Sequence, residues 1–127
     1  MTTVATIEAT HGVLFISDPS GREELPPDTS AAAVTFTDSC IAFWAMHYVD
    51  GPVSLRLISR QEETQLSPAF TGRLYTPSGR VCVSQPDGEI IFDFTIPARD
   101  VAVSIFVDAS DSPEVVDILI TPFGVAE

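Results

Sequence analysis

A chain of 127 residues, 45% apolar and 19% charged, is one globular domain spanning 1–127, not a disordered segment, and is long enough to bury roughly two thirds of its unfolded surface. Its 18 acids against six bases, all of them arginine, give a net charge of −12; such a field repels nucleic acid and anionic membrane and draws basic partners in. No run reaches the ~20 apolar residues of a spanning helix, and Met1 to Thr10 lacks the basic and apolar regions of a secretory leader, so a cytoplasmic protein is expected.

Val4 to Ala9 and Val13 to Ser17 read as an opening pair of strands, broken at His11-Gly12. Asp18 to Ser30 is polar and rich in proline, which predicts an exposed, mobile loop. Asp28 or Thr29 can cap one helical turn through Ala31-Ala32-Ala33. Cys40 to Tyr48 is apolar on both faces, the mark of a strand covered on both sides. Asp50-Gly51-Pro52 turns the chain, Val53 to Leu57 alternates as a half-buried strand, and Arg60 to Pro68 is a second polar loop.

Phe70 to Thr76 leads into the clearest pattern. Pro77-Ser78-Gly79 and Pro86-Asp87-Gly88 are tight-turn sequences, and between and after them apolar residues recur with period two: Val81 and Val83, then Ile90, Phe92, Phe94 and Ile96, then Val101, Val103, Ile105 and Val107. The loop Asp108–Glu114 precedes a last strand, Val115 to Thr121. Prolines at 52, 68, 77, 86, 97, 113 and 122 leave little room for an interior helix. The expected class is all-β: a single-domain antiparallel β-sandwich, jelly-roll or C2-like, of about eight to ten strands.

Little in the chain names a chemistry. His11 and His47 are the only histidines; no Gly-x-Ser-x-Gly elbow accompanies them, and they read as a turn and a strand-surface residue. No catalytic residue and no cofactor are expected, and the protein is not expected to be an enzyme. Cys40 and Cys82 have no metal or redox spacing and read as buried thiols. Asp108, Asp111 and Glu114 fall within seven residues of one another, which suggests a hard cation such as Ca²⁺, or a small ligand, bound through oxygen; the competing reading is a solvated turn whose side chains bond local backbone. Opposite the core register lie Glu89, Ile91, Asp93, Thr95, Phe106, Val115, Asp117 and Leu119. Carboxylates mixed with large apolar groups suggest a docking surface for a partner or a homodimer seam, unless a second sheet or loop covers the apolar members. Trp44 and Tyr48 join that patch or fill the core. Arg56, Arg73 and Arg80 are expected to pair with surplus carboxylates on strand surfaces.

Several stretches carry a likeness. His11-Gly-Val-Leu-Phe-Ile-Ser-Asp18 followed by a polar loop, then Ile41 to Met46, Val53-Ser-Leu-Arg-Leu57, and Phe94-Thr-Ile-Pro97 before a late strand, together resemble the small β-sandwich proteins of the competence protein J (ComJ) group. The chain departs from that group's pattern at Pro97-Ala-Arg-Asp-Val101. The resemblance implies an acidic protein that binds and inhibits a partner nuclease.

The expected function is an acidic protein-binding module, an inhibitor or immunity-type protein that neutralises a basic partner such as a nuclease or toxin. Its contact residues are sought among Glu89, Asp93, Phe106, Asp108, Asp111, Glu114 and Asp117. The alternative is a β-sandwich binding a small ligand or Ca²⁺ through the 108–114 loop, with Asp108, Asp111 and Glu114 as the metal ligands.

Overall fold

The computed structural model describes residues 3–19 and 34–123. Most of the loop of Asp18–Ser30, and the helical turn expected at Ala31–Ala33, lie outside the described residues. Ten strands follow in order: β1 (Thr3–Ile7), β2 (Val13–Ser17), β3 (Val34–Phe36), β4 (Cys40–Trp44), β5 (Val53–Ile58), β6 (Ser67–Tyr75), β7 (Arg80–Ser84), β8 (Ile90–Thr95), β9 (Asp100–Val107) and β10 (Val115–Pro122). They form two five-stranded sheets, ordered β1-β5-β10-β9-β6 and β3-β4-β2-β7-β8. This is the expected all-β sandwich.

The period-two pattern becomes a two-sided core. Leu14, Ile16, Ile41, Phe43, Val81 and Val83 from one sheet meet Val53, Leu55, Leu74, Val101, Val103, Ile105, Val116 and Ile118 from the other, each at most 1% exposed. Burying each such side chain contributes roughly 1.5–3 kcal/mol. Cys40 and Cys82 are buried thiols, not disulfide-bonded.

One pairing departs from the antiparallel expectation. β5 runs parallel to β10, with Ser54 opposite Val115 and Leu57 opposite Ile118, while the other pairings are antiparallel. A parallel neighbour needs a crossover, and residues 59–66 supply one. They leave β5 level with Leu119 and return to β6 level with Val107, crossing the outer face of β10 and β9. Leu66 on that crossover packs against Ile58, Phe106 and Leu119, which form a second, smaller core outside the sheet. A 3-10 turn at Gln61–Glu63 compacts it: the Glu63 carboxylate accepts hydrogen bonds from the backbone N–H groups of Ser59 and Arg60.

Other differences have local causes. β4 stops at Trp44, and Tyr48 opens a 3-10 turn, Tyr48–Asp50, which His47 caps by accepting the Val49 N–H at Nδ1 (3.3 Å). Gly51 follows at φ 138°, a value that suits glycine. β3 is only three residues long. β6 begins at Ser67, three residues earlier than its apolar pattern suggests; Pro68 is tolerated there because β6 is an edge strand and the register shifts between Pro68 and Phe70. The Phe70 ring lies over Gly72, where a Cβ would stand 2.4 Å from it, and it also meets Phe36 of β3 at 5.4 Å between centroids.

Candidate functional site at the acidic end of the sandwich

The registers determine which connections share an end. Ile7 pairs with Val53, Ser54 with Val115, Val116 with Val107, and Val13 with Trp44. Residues 8–12, 45–52, 85–89 and 108–114 therefore emerge together. Those four connections carry Glu8, Asp50, Asp87, Glu89, Asp108, Asp111 and Glu114, all exposed, and not one arginine or lysine. The arginines of the described residues lie elsewhere: Arg56 along β5, and Arg60, Arg73, Arg80 and Arg99 toward the opposite end. Among the described residues, the negative charge not offset by arginine is thus concentrated on a face roughly 20 Å wide, about four strand spacings.

Polar groups fasten the end together. Gln85, 3% exposed, donates from Nε2 to the Glu8 carbonyl (2.9 Å) and to Glu89 Oε1 (2.8 Å), and its Oε1 accepts from the Thr10 N–H (3.1 Å). This ties the β1–β2 turn to the β7–β8 turn. On the other side the Pro113 carbonyl accepts the Met46 N–H (3.0 Å) and the Glu114 carbonyl accepts the Ser54 N–H (2.8 Å). Asp108 Oδ1 accepts from the Glu114 and Val115 N–H groups (3.0 and 3.2 Å). The 108–114 loop is therefore a built turn, with Ser112 held in the left-handed region at φ 47°. Tyr48 (46% exposed) and Val49 (71%) stand beside Asp50 as apolar groups open to solvent.

The expected contact residues divide by position. Glu89, Asp108, Asp111 and Glu114 are brought to this end. Asp93 is on β8, on the outer face of the second sheet, and pairs with Arg80. Phe106 and Asp117 are on the outer face of the first sheet. Asp117 is fully buried, and its two oxygens accept from Arg56 Nε and Nη2. That hydrogen bond raises the Arg56 pKa further above its ordinary value. The single docking face expected from Glu89 to Leu119 thus lies on two opposite faces. Its apolar members Phe106 and Leu119, 5% and 2% exposed, are covered by the chain's own crossover, while Ile91 and Val115 stay half-buried. Arg73 pairs with Asp100 at 3.0 Å and stacks over Phe123 at 4.5 Å. Together with Arg56 and Arg80 it follows the predicted pairing of arginines with carboxylates.

The residues named for a metal sit on a built turn. Asp108 directs an oxygen to the backbone of its own turn, and among the described residues no three His, Cys, Asp or Glu side chains are grouped to hold a metal ion. His11 and His47 serve local structure, His11 Nδ1 lying 3.2 Å from Thr10 Oγ1. No helix among the described residues is long and apolar enough to cross a membrane.

One cleft opens at this end. Its volume is about 650 Å³, within the range of ligand pockets. It descends between the edges of the two sheets, from a rim at Ser67 and residues 108–113 to a floor at Phe43 and Ile105. Sequence reasoning missed it, together with the contributions of Glu8, Asp50 and Asp87 to the acidic end.

No family model matches the sequence, and no curated protein matches it. Solved structures do share the fold. One is described as ComJ, inhibitor of the DNA degrading activity of NucA, from Bacillus subtilis; its TM-score is 0.71 at 11% identity, covering 93% of each chain. Another is described as crocagin biosynthetic gene J, with a TM-score of 0.56 at 12% identity and 96% of each chain covered. At these identities the likeness is one of fold.

Proposed function

We propose that this protein is an inhibitor-type binding module whose acidic end docks on a basic partner of the nuclease class, in the cleft that otherwise receives the nucleic-acid backbone. The observation that carries this reading is the segregation of charge: seven exposed carboxylates and no arginine on the four connections of one end. A cleft built for phosphates presents cationic groups, and an array of carboxylates competes for them while raising the association rate. Tyr48 and Val49 supply the apolar contact that charge alone lacks. The fold likeness to ComJ, described as an inhibitor of a DNA-degrading activity, supports the same class. In this reading Glu89, Asp108, Asp111 and Glu114 contact the partner, joined by Asp50 and Asp87, while Asp93, Phe106 and Asp117 maintain the scaffold.

The test is capture on the immobilised protein from a lysate of the source organism, eluted by a salt gradient, with each fraction assayed for DNA degradation before and after adding the free protein. The expected result is a basic protein released at moderate salt whose DNA-degrading activity the free protein suppresses. Retention of nothing by folded bait, or a retained nuclease indifferent to added protein, contradicts the proposal.

A further inference from the structure

The cleft beside the 108–113 loop has two chemistries in one space. Its walls and floor are apolar: Val34, Phe43, Trp44, Ile105 and Val107. Its rim is made of small polar residues and carboxylates, among them Asp108 and Asp111, and among the described residues no cationic side chain lines it. Asp111 makes no ion pair or hydrogen bond among the described residues, and Asp108 uses only Oδ1 within its turn.

Each class of occupant can be weighed against this lining. An anion is repelled by the rim. A hard divalent cation needs several carboxylates grouped around one point, and these are not. A neutral apolar ligand gains nothing from an acid-only mouth. A monocation on an aliphatic stem fits both parts: methylenes against Val34 and Val107, and a charged head between the carboxylates and the half-buried Trp44 indole, whose face attracts cations. The rim is also pre-organised. The Pro113–Met46 hydrogen bond and the Asp108 turn fix it before binding, which lowers the ordering cost of association.

We infer that this cleft is the subsite for one basic side chain, arginine or lysine, of the polypeptide partner, seated with its stem on Val34 and Val107 and its head at Asp108 and Asp111. The inference rests on the reading of the acidic end as a docking face and gives that face its anchor point. Arginine is among the residue types enriched at interface hot spots, which sit in desolvated pockets with near-neutral contacts around them.

The experiment uses a small probe, so that it is independent of the partner's identity. The blocked tripeptide acetyl-Gly-Arg-Gly-amide is titrated into the full chain and followed by NMR at the Trp44 indole N–H and the Val34 and Val107 methyls. The matching citrulline tripeptide, which has the same stem and no charge, serves as the comparison. The expected result is saturable shifts confined to the cleft, with the arginine peptide binding about tenfold more tightly than citrulline. Asp111→Asn weakens the arginine peptide without unfolding the protein, and Ala69→Trp, which fills the cleft from an exposed position, abolishes its binding. Three results overturn the subsite: equal binding of both peptides, non-saturating shifts spread over Glu8, Asp87 and Glu89 as well, or full binding to Ala69→Trp. A protein that inhibits a basic nuclease yet gives one of those results loses the subsite and keeps the docking face.

Discussion

Arg56 and Asp117 face each other across the parallel β5–β10 pair, and the two should not be equivalent on substitution. The Asp117 side chain is 0% exposed and the Arg56 side chain 33%. In Arg56→Met the carboxylate is left buried without its cation, a loss that typically costs about 3–5 kcal/mol. In Asp117→Asn the guanidinium keeps its access to water and can still donate to the amide oxygen, so only part of a charge-assisted hydrogen bond is lost, about 1–2 kcal/mol. Replacing both with apolar residues, Arg56→Met with Asp117→Leu, removes the stranded charge and should recover most of the stability lost in Arg56→Met. Urea unfolding followed by the fluorescence of Trp44, the single tryptophan, gives the three free energies by linear extrapolation. If Asp117→Asn is as costly as Arg56→Met, or the double variant is the least stable, the burial argument is wrong.

Other consequences are separable from this one. Gln85→Ala removes a buried side chain that bonds Glu8, Thr10 and Glu89, and should cost about 1–3 kcal/mol while raising amide exchange at residues 8–12 and 85–89; unchanged exchange would count against the staple. Phe106→Ala hollows the small outer core under the crossover and should cost about 3 kcal/mol in urea unfolding; a change below about 1 kcal/mol would count against that core. The Arg73 hydrogen bond holds the Asp100 carboxyl below its ordinary value of 3.8. The pair therefore stabilises the fold above that value and ceases to do so as pH falls through the lower, folded-state pKa. Arg73→Gln should be slightly less stable than the wild type near pH 7, with the difference shrinking in strongly acid solution to what the stacking on Phe123 contributes; a difference that grows on acidification would refute the linkage.

The sandwich was legible because its strands alternate cleanly and its turns carry Pro, Asp and Gly at the right places. Ile90 to Val107 is the plainest case. β3 was not legible, since Val34-Thr35-Phe36 is too short to show a period. The 3-10 turn at Tyr48 was hidden because His47 caps it from within an apolar run, where sequence suggests a continuing strand. The docking face was half legible. Asp108, Asp111 and Glu114 are adjacent in sequence and were found, whereas Glu8, Asp50 and Asp87 join them only through topology. Strict alternation of hairpins would have placed them by counting. β2 ends and β3 begins at opposite ends of the sandwich, as do β5 and β6, and this breaks the count. For Phe106 and Leu119 the sequence left exposure and cover by a loop both open, because period two tells which residues share a face and not whether a crossover covers it; the crossover decides for cover. The likeness to the competence protein J group, read from His11–Asp18 and three later strands, has its counterpart in the shared fold at a TM-score of 0.71.

The central claim is that charge placed at one end, rather than net charge, makes the binding face. The most direct measurement compares two variants of equal net charge, each shifted from −12 to −10 by two neutralisations: Asp111→Asn with Glu114→Gln at the acidic end, and Asp38→Asn with Glu62→Gln away from it. The quantity measured is inhibition of the captured DNA-degrading partner across a salt series. The account predicts that the first variant inhibits more weakly and with a shallower salt dependence, while the second follows the wild type. Equal behaviour of the two variants would show that only the overall charge matters and would contradict the docking face.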